Sequence, residues 1–539
     1  MKKNYTLLFA LLSATLLNAQ VINVPGDQST IQAAIETASE GDTVLVEEGL
    51  YYENINFLGK AITVGSRFLL DADTTHISRT IIDGSQSINP DTASVVTMWS
   101  GEDTTSILMG FTVTGGTGTY VTEVHSAWDY DYLGGGGILI YNSGGKICNN
   151  IIKENHITDP MGKVRGTLGC GILATVNHDH SAIIRGNTIR NNSGTDNGAW
   201  GGGMSLHGGR FLVENNAVTN NILQTTTIYA VGAGILFENE GQPEVIPKAV
   251  IRNNLISQNK SFSQSKQSYG GGISISMGFS SGGPEIYNNL ITDNYVEGYA
   301  GGLYGWENKS VIFNNTLINN IASVKGNDLG LDGNCSFILY NNIFWSDVEN
   351  GIPEYYFFGS GNSIQAYNNI LTAPFPVENW VTSSENISEE PVFLPDSYEL
   401  AEFSPGVGQG VEAVDVNGAI YFAPPFDFKD SIRPHPIDAF VDIGALESPF
   451  LHINRIESLS LIDLKIFPNP STGQINIETE FPNHYFIEVT STNGQVIHAS
   501  TMEGNAHQID LSSFQSGIYI ITISSKHLVA TRKIIKLRK

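Results

Sequence analysis

Cysteine is nearly absent: three residues, Cys148, Cys170 and Cys335, occur in 539. They occupy non-equivalent places in the pattern described below, one just before an asparagine pair, one inside a glycine cluster and one six residues before a pair. That spacing argues against a disulfide framework and predicts buried free thiols. Charge is also scarce, at 15% of residues, and cations are scarcer still: 28 Lys and Arg stand against 54 Asp and Glu, for a net charge of -26. Phosphates would repel such a chain, so no nucleic-acid partner is expected; the acid excess suits the solubility of an exported protein. Long apolar runs are missing too. The stretch from Leu7 to Leu17 is too short for a comfortable span and no other segment qualifies, so no transmembrane segment is expected in the mature chain. With Lys2 and Lys3 before it and Leu17-Asn18-Ala19 ahead of Gln20, that stretch predicts a signal peptide over residues 1–19.

What the chain has in abundance is asparagine and glycine in register. Pairs recur at Asn149-Asn150, Gly186-Asn187, Asn215-Asn216, Asn253-Asn254, Asn288-Asn289 and Asn314-Asn315, fading to Asn341-Asn342 and Asn368-Asn369, and the early ones are followed six residues on by another Asn. First positions lie 37, 29, 38, 35, 26, 27 and 27 residues apart. Between the pairs stand glycine clusters running into an apolar residue, such as Gly201-Gly202-Gly203-Met204 and Gly270-Gly271-Gly272-Ile273. None has phosphate-loop spacing or opens a helix. Self-similarity at this period predicts a solenoid, and units too short for a crossover helix, with apolar segments of three to five residues between turn signals, predict one coil of a parallel β-helix per unit. Asparagine accepts the left-handed backbone of a sharp turn and carries donors and an acceptor. Equivalent Asn side chains stacked at about 4.8 Å can bond along the axis as a ladder. The most conspicuous residues are therefore read as scaffold.

At the start, Ser29 or Thr30 is a fair N-cap, and Ile31, Ala34, Ile35 and Ala38 fall on one helical face. A short helix lying across the first coil would cover an open β edge. Strands are predicted at 43–46, 55–57, 61–64 and 80–83. The residues Ile31-Gln-Ala-Ala-Ile35, Gly41-Asp-Thr-Val-Leu-Val46, Ile81-Ile-Asp-Gly84 and Gly110-Phe-Thr-Val-Thr-Gly-Gly116, closing with Val441-Asp-Ile-Gly-Ala-Leu-Glu447, resemble right-handed parallel β-helix proteins of the pectate-lyase-like superfold. The resemblance implies an all-β solenoid with an N-terminal capping helix over residues 20–450. It leaves activity open, because that superfold hosts polysaccharide lyases, glycoside hydrolases, epimerases and adhesins. After a linker at 451–463, residues 464–539 change character: Phe467 to Gly473, an Asn493-Gly494 turn and Gly517-Ile-Tyr519 interrupt alternating strands. By pattern this is a small antiparallel β-sandwich. Those residues resemble the C-terminal sorting domain of type IX secretion cargo, which implies the export machinery as a partner and an extracellular or outer-membrane surface location.

Extra residues of the long early coils fall mainly between the closing Asn and the next glycine cluster, and in register they would stack as a wall. Aromatics concentrate there: Trp128, Tyr132, Trp200, Tyr229, Tyr269 and Tyr299 are candidates to stack on successive sugars of an extracellular polysaccharide, or to form a structural ladder between coils. The polar candidates in the wall are His125, Asp129, Asp131, Lys163 and Arg165, with His178-Asp179-His180 on another turn. A lyase of the resembled superfold needs an Arg or Lys base and Ca²⁺ on carboxylates; Asp129 and Asp131 would hold the metal and Lys163 or Arg165 would abstract the proton. The same carboxylates are the candidates for a hydrolase pair. The chain has neither a paired Asp-Asp nor a Gly-His-Gly, which counts against a pectin-hydrolase constellation. A non-enzymatic adhesin is the third reading.

Overall fold

The computed structural model describes residues 19–124, 129–159, 162–226, 229–239, 249–276, 282–347, 351–436, 439–450, 464–491, 496–525 and 528–538. The signal peptide expected over residues 1–19 (all but its last residue), the linker expected at 451–463, His125, Trp128 and the turn expected at Asn493-Gly494 lie outside them. The chain divides into two compact units, Met1–His452 and Ile453–Lys539.

The first unit is a parallel β-helix. A representative coil runs through Ala199–Trp200, Met204–Glu214, Ala217–Thr219 and Ile222–Thr225 before the next coil begins at Ala230–Val231. These segments join sheets of 7, 21, 11 and 6 strands in turn. Coils are in register: Ala217, Val218 and Thr219 face Leu255, Ile256 and Ser257. One residue type therefore stacks on itself along the axis, as Ile152, Ile189, Val218, Ile256, Ile291 and Leu317 do, all fully buried in the core. The three cysteines are free and buried, and burial pushes the Cys170 thiol up to about 12.

The two members of each asparagine pair have different work. The first takes the left-handed turn, with φ of 57° at Asn215, 54° at Asn253, 52° at Asn288 and 50° at Asn314; Gly186 replaces Asn at 67°. The second is buried and forms the ladder. Asn150, Asn187, Asn216, Asn254, Asn289, Asn315, Asn342 and Asn369 each donate Nδ2 to the Oδ1 of the next, the last to Asn386, at 2.9–3.2 Å. A second ladder runs parallel to it through Asn155, Asn192, Asn221, Asn259, Asn294 and Asn320 at 2.9–3.0 Å. Third-position glycines fit against this line: a Cβ on Gly234 would lie 2.4 Å from the Gly272 carbonyl oxygen and 3.1 Å from the Asn259 amide.

A helix at Ile31–Thr37 buries Ile31, Ala34 and Ile35 in the same core. Both of its ends are satisfied. The Thr30 hydroxyl accepts from Ala33 N–H at 3.1 Å and Glu53 accepts from Ile31 and Gln32 N–H at 3.0 and 2.9 Å, while Lys60 donates to the carbonyls of Ile35, Glu36 and Ala38 at 2.7–2.8 Å.

After the last coil, the described residues of 409–447 run back along the outside of the solenoid as a strap. The outward first-position asparagines hold it: Asn368 donates to the Gln409 carbonyl at 3.0 Å, Asn341 to Val411 at 2.8 Å, Asn314 to Gly444 at 3.3 Å, Asn288 to Phe426 at 2.7 Å and Asn253 to Asp427 at 3.2 Å. Beneath it the rings of Tyr287, Phe313 and Tyr340 stack with centroids 4.7 and 4.9 Å apart.

The second unit is one five-stranded antiparallel sheet of Lys465–Phe467, Gln474–Ser491, Val496–Asp510, Gly517–Ser525 and Leu528–Lys536. A register shift between Glu478 and Asn483 divides the long strand. Its first part pairs with 465–467 and its last part with 519–524. Ile475, Ile477, Tyr485, Ile487, Ile521 and Ile523 form its core.

Candidate functional site

The site is a groove on the β-helix of about 370 Å³, with a wall from the seven-stranded sheet and a floor from the outer face of the 21-stranded sheet. Register places the wall aromatics in two columns. Leu168, Trp200, Val231 and Tyr269 succeed one another on adjacent strands, with Tyr299 bridged to Tyr269. Tyr132 and Tyr229 belong two residues earlier on their strands, in a column that also holds Gly166 and, two residues before Trp200, Gly198. A side chain on either glycine would collide with the indole of Trp200. That vacancy lets the Trp200 ring lie between the tyrosines, where it meets Tyr132 edge-on at 5.7 Å.

Further along, Tyr269 touches Tyr229 at 6.2 Å, Tyr299 at 5.5 Å and Tyr304 at 4.8 Å between centroids, and Tyr299 touches Tyr356 at 4.5 Å. Tyr132 and Trp200 are largely buried, whereas Tyr229 and Trp306 are 40% and 39% exposed. The wall is thus part ladder, part open ring surface. Burial pushes the Tyr269 hydroxyl up to about 12 and raises Tyr304 and Tyr356 as well, so these groups remain neutral donors and acceptors.

The floor comes from strands that follow the glycine clusters. Met204 and Leu206 point into the core, so the alternate residues point out. His207, Glu238, Ser276, Trp306 and Asp332 form one outward column across five adjacent strands. Ser276 Oγ donates to Glu238 Oε1 at 2.8 Å, and Tyr304 donates its hydroxyl to Asp332 Oδ2 at 3.2 Å. Desolvation raises the Asp332 carboxyl above its ordinary range. Arg165 closes one end, its guanidinium carbon 5.8 Å from the centre of the Trp200 ring.

Ser205, His207 and Glu238 form a relay: Ser205 Oγ lies 2.7 Å from His207 Nε2, and His207 Nδ1 lies 3.4 Å from Glu238 Oε2. It has the order of a nucleophile, base and orienting acid, but its hydroxyl is closed off and the nearest turn amides are occupied. Ser205 is fully buried, and the N–H groups of Gly201, Gly202, Gly203 and Met204 are all engaged with the next coil. These glycine-turn donors cannot face a developing oxyanion. The relay instead fixes Glu238 in the floor. Glu238 and Asp332 are three strands apart, about 14 Å at the spacing of a sheet, beyond the separation of a glycosidase pair.

Of the residues singled out from sequence, Tyr132, Trp200, Tyr229, Tyr269 and Arg165 line the groove, and Tyr299 stacks just beyond it. Asp131 is exposed and accepts from the Thr122 hydroxyl at 2.7 Å; Lys163 is exposed, and neither is among the described residues lining the groove. Asp129 pairs through its backbone with Val124 in a hairpin of 118–124 and 129–134. His180 turns to Asn177, 2.6 Å away, in the bulged stretch of its strand. Among the described residues no group of three or more His, Cys, Asp or Glu is placed to hold a metal. The sequence reading missed Glu238, Ser276, Tyr304, Trp306 and Asp332. Their signal was the period-2 alternation just after each glycine cluster.

Residues 108–280 match the family described as the right handed beta helix region, and residues 465–537 match the secretion system C-terminal sorting domain. No curated protein matches the chain and no solved structure does. The protein is a β-helix of stacked parallel coils joined to a sorting domain. It is a cargo of the type IX secretion system, exported to the cell surface or the extracellular space. No helix among its described residues is long and apolar enough to cross a membrane.

Proposed function

We propose that the groove binds a neutral polysaccharide chain at the cell surface and holds it without cleaving it. The observation that carries this reading is the run of rings from Tyr132 through Trp200, Tyr229 and Tyr269 to Trp306 beside hydroxyl and carboxyl groups in one elongated groove. Rings stack on the apolar faces of sugars, and Ser274, Ser276, Glu238 and Asp332 supply partners for sugar hydroxyls. Two carboxylates in the floor and a net charge of -26 disfavour a polyanionic chain. The wide spacing of those carboxylates, and the positions of Asp131 and Lys163 outside the groove lining, favour binding over turnover.

Affinity electrophoresis of the full chain in gels carrying neutral or uronate-rich polysaccharides tests this. Trp306→Ala and Tyr229→Ala, which remove exposed rings, are expected each to weaken binding of a neutral glycan about 5–10-fold, the worth of one aromatic contact, without lowering the melting temperature. Trp200→Ala, buried among Leu168, Leu173 and Leu236, should lower both. Asp131→Asn should change neither. Binding of uronate-rich chains only, or unchanged binding by both exposed-ring variants, would refute the assignment, as would new chain ends released from a bound glycan.

A further inference from the structure

The second asparagine ladder ends in acid. Beyond Asn320 its register holds no further Asn, and Asn320 donates Nδ2 to Oδ1 of Asp328 at 3.2 Å instead. Asp328 stands where the earlier coils have the third glycine of their cluster, since Leu303 N–H bonds the Asp328 carbonyl just as Ile273 N–H bonds that of Gly302. One coil further, Glu354 takes the same place: Asp328 N–H faces the Glu354 carbonyl at 3.4 Å, and the following residues Leu329 and Tyr355 are register partners. The Asn327 amide donates to Glu354 Oε1 at 3.4 Å.

Each carboxylate therefore has one oxygen held by an amide. The other oxygen of each, Asp328 Oδ2 and Glu354 Oε2, is buried with no hydrogen-bond partner among the described residues. Asp328 is 1% exposed. Burial and the neighbouring Glu354 both raise its pKa, and no described cation acts on either group to offset this. Two adjacent carboxylates in the interior repel, and either a shared proton or a cation can relieve them. Amide N–H groups aimed at Oδ1 and Oε1 favour the ionised forms. A divalent ion would balance both charges and satisfy both free oxygens at once.

We infer that Asp328 and Glu354 form a divalent-cation site of the calcium class, set inside the solenoid where the amide ladder stops. Glu354 is only partly buried, so its side chain lies on the path by which an ion and its waters would enter. Magnesium, with its rigid octahedral and water-retaining coordination, suits this place less well. The ion would fasten the coils on either side of the ladder's end and so stabilise the C-terminal coils.

Calcium titration by calorimetry and thermal melting of the full chain, in calcium and in chelator, test the site. A dissociation constant on the order of 0.1–1 mM, as for extracellular modules, and a rise in melting temperature of about 2–4 °C at 10 mM calcium are expected. Asp328→Asn should abolish the rise yet melt no lower than the wild type in chelator, because an amide there extends the ladder and removes the repulsion. Asp131→Asn should keep the rise. If the wild type gains nothing from calcium, or Asp328→Asn retains the full gain, the site is refuted. Failure in calcium together with stability that falls as pH rises from 5 to 8 would assign the pair a shared proton instead.

Discussion

Asn254→Ala is expected to destabilise the β-helix by about 4 kcal/mol, whereas Asn253→Gly, one residue away, should cost under about 1 kcal/mol. The pair looks uniform in sequence and is not uniform in space. Asn254 is fully buried and makes five bonds. Its Oδ1 accepts from Asn216 N–H and Nδ2 at 3.0 and 2.9 Å, and its Nδ2 donates to the carbonyls of Val213 and Arg252 and to Asn289 Oδ1 at 3.0, 2.8 and 3.0 Å. Alanine removes all five; Asn289 Oδ1 keeps the Asn254 N–H and Asn216 Nδ2 keeps the Ile184 carbonyl, but the buried Asn216 N–H and the carbonyls of Val213 and Arg252 each lose a bond, costing about 1–3 kcal/mol apiece where no water enters. Asn253, at φ 54°, chiefly supplies a left-handed turn that glycine adopts freely, and its one bond to the strap is at 3.2 Å. Urea denaturation followed by circular dichroism measures both. Equal effects at the two positions would show that the ladder contributes nothing beyond the turn.

That contrast also marks how much was legible in the sequence. The repeat was legible because parallel in-register stacking forces one residue type to serve the same role on every coil, so Asn187, Asn216 and Asn254 had to recur. The wall aromatics were legible for the same reason, though the sequence placed Tyr132 and Tyr229 in one row with Trp200 and Tyr269, while the pleat separates them into two columns. The groove floor was not read, because Glu238, Ser276, Trp306 and Asp332 share a column but no residue type; only their position two after an outward neighbour relates them. The strap was beyond reach for another reason. Asn253 meets Asp427 across 174 residues, and no local spacing encodes which carbonyl an outward amide will find. Val441–Glu447 was legible as a terminal motif without its role of holding that strap.

The largest effect outside the ladder is expected from Arg433→Met, which should cost about 3–5 kcal/mol and expose the strap to proteases. Arg433 and Glu447 are almost wholly buried, with Nε 2.8 Å from Oε1, and Arg433 Nη2 donates to the carbonyls of Gly444 and Ala445 at 3.3 Å. Asp427 and Asp442 flank the pair, and both carboxylates bind backbone: Asp442 accepts from Gly408 and Ser448 N–H, just beyond the two ends of the strap, and Asp427 from Lys429, Ser431 and Glu447 N–H within it. Without the guanidinium, three carboxylates face one another in the interior. Burial already pushes Glu447 up to about 8 against the pull of Arg433, and the loss of that pull raises it further. A carboxyl whose pKa is higher folded than unfolded loses stability as pH climbs from its unfolded value, near 4.5, through its folded one. The variant should therefore sit closer to the wild type at pH 5 than at pH 8, where Glu447 must either ionise unpaired or keep its proton at a cost. Urea midpoints at the two pH values, with proteolysis to detect release of residues 409–447, decide the matter. A deficit of the same size at both would mean that packing of the Arg433 side chain, and not the buried charge, is what the strap depends on.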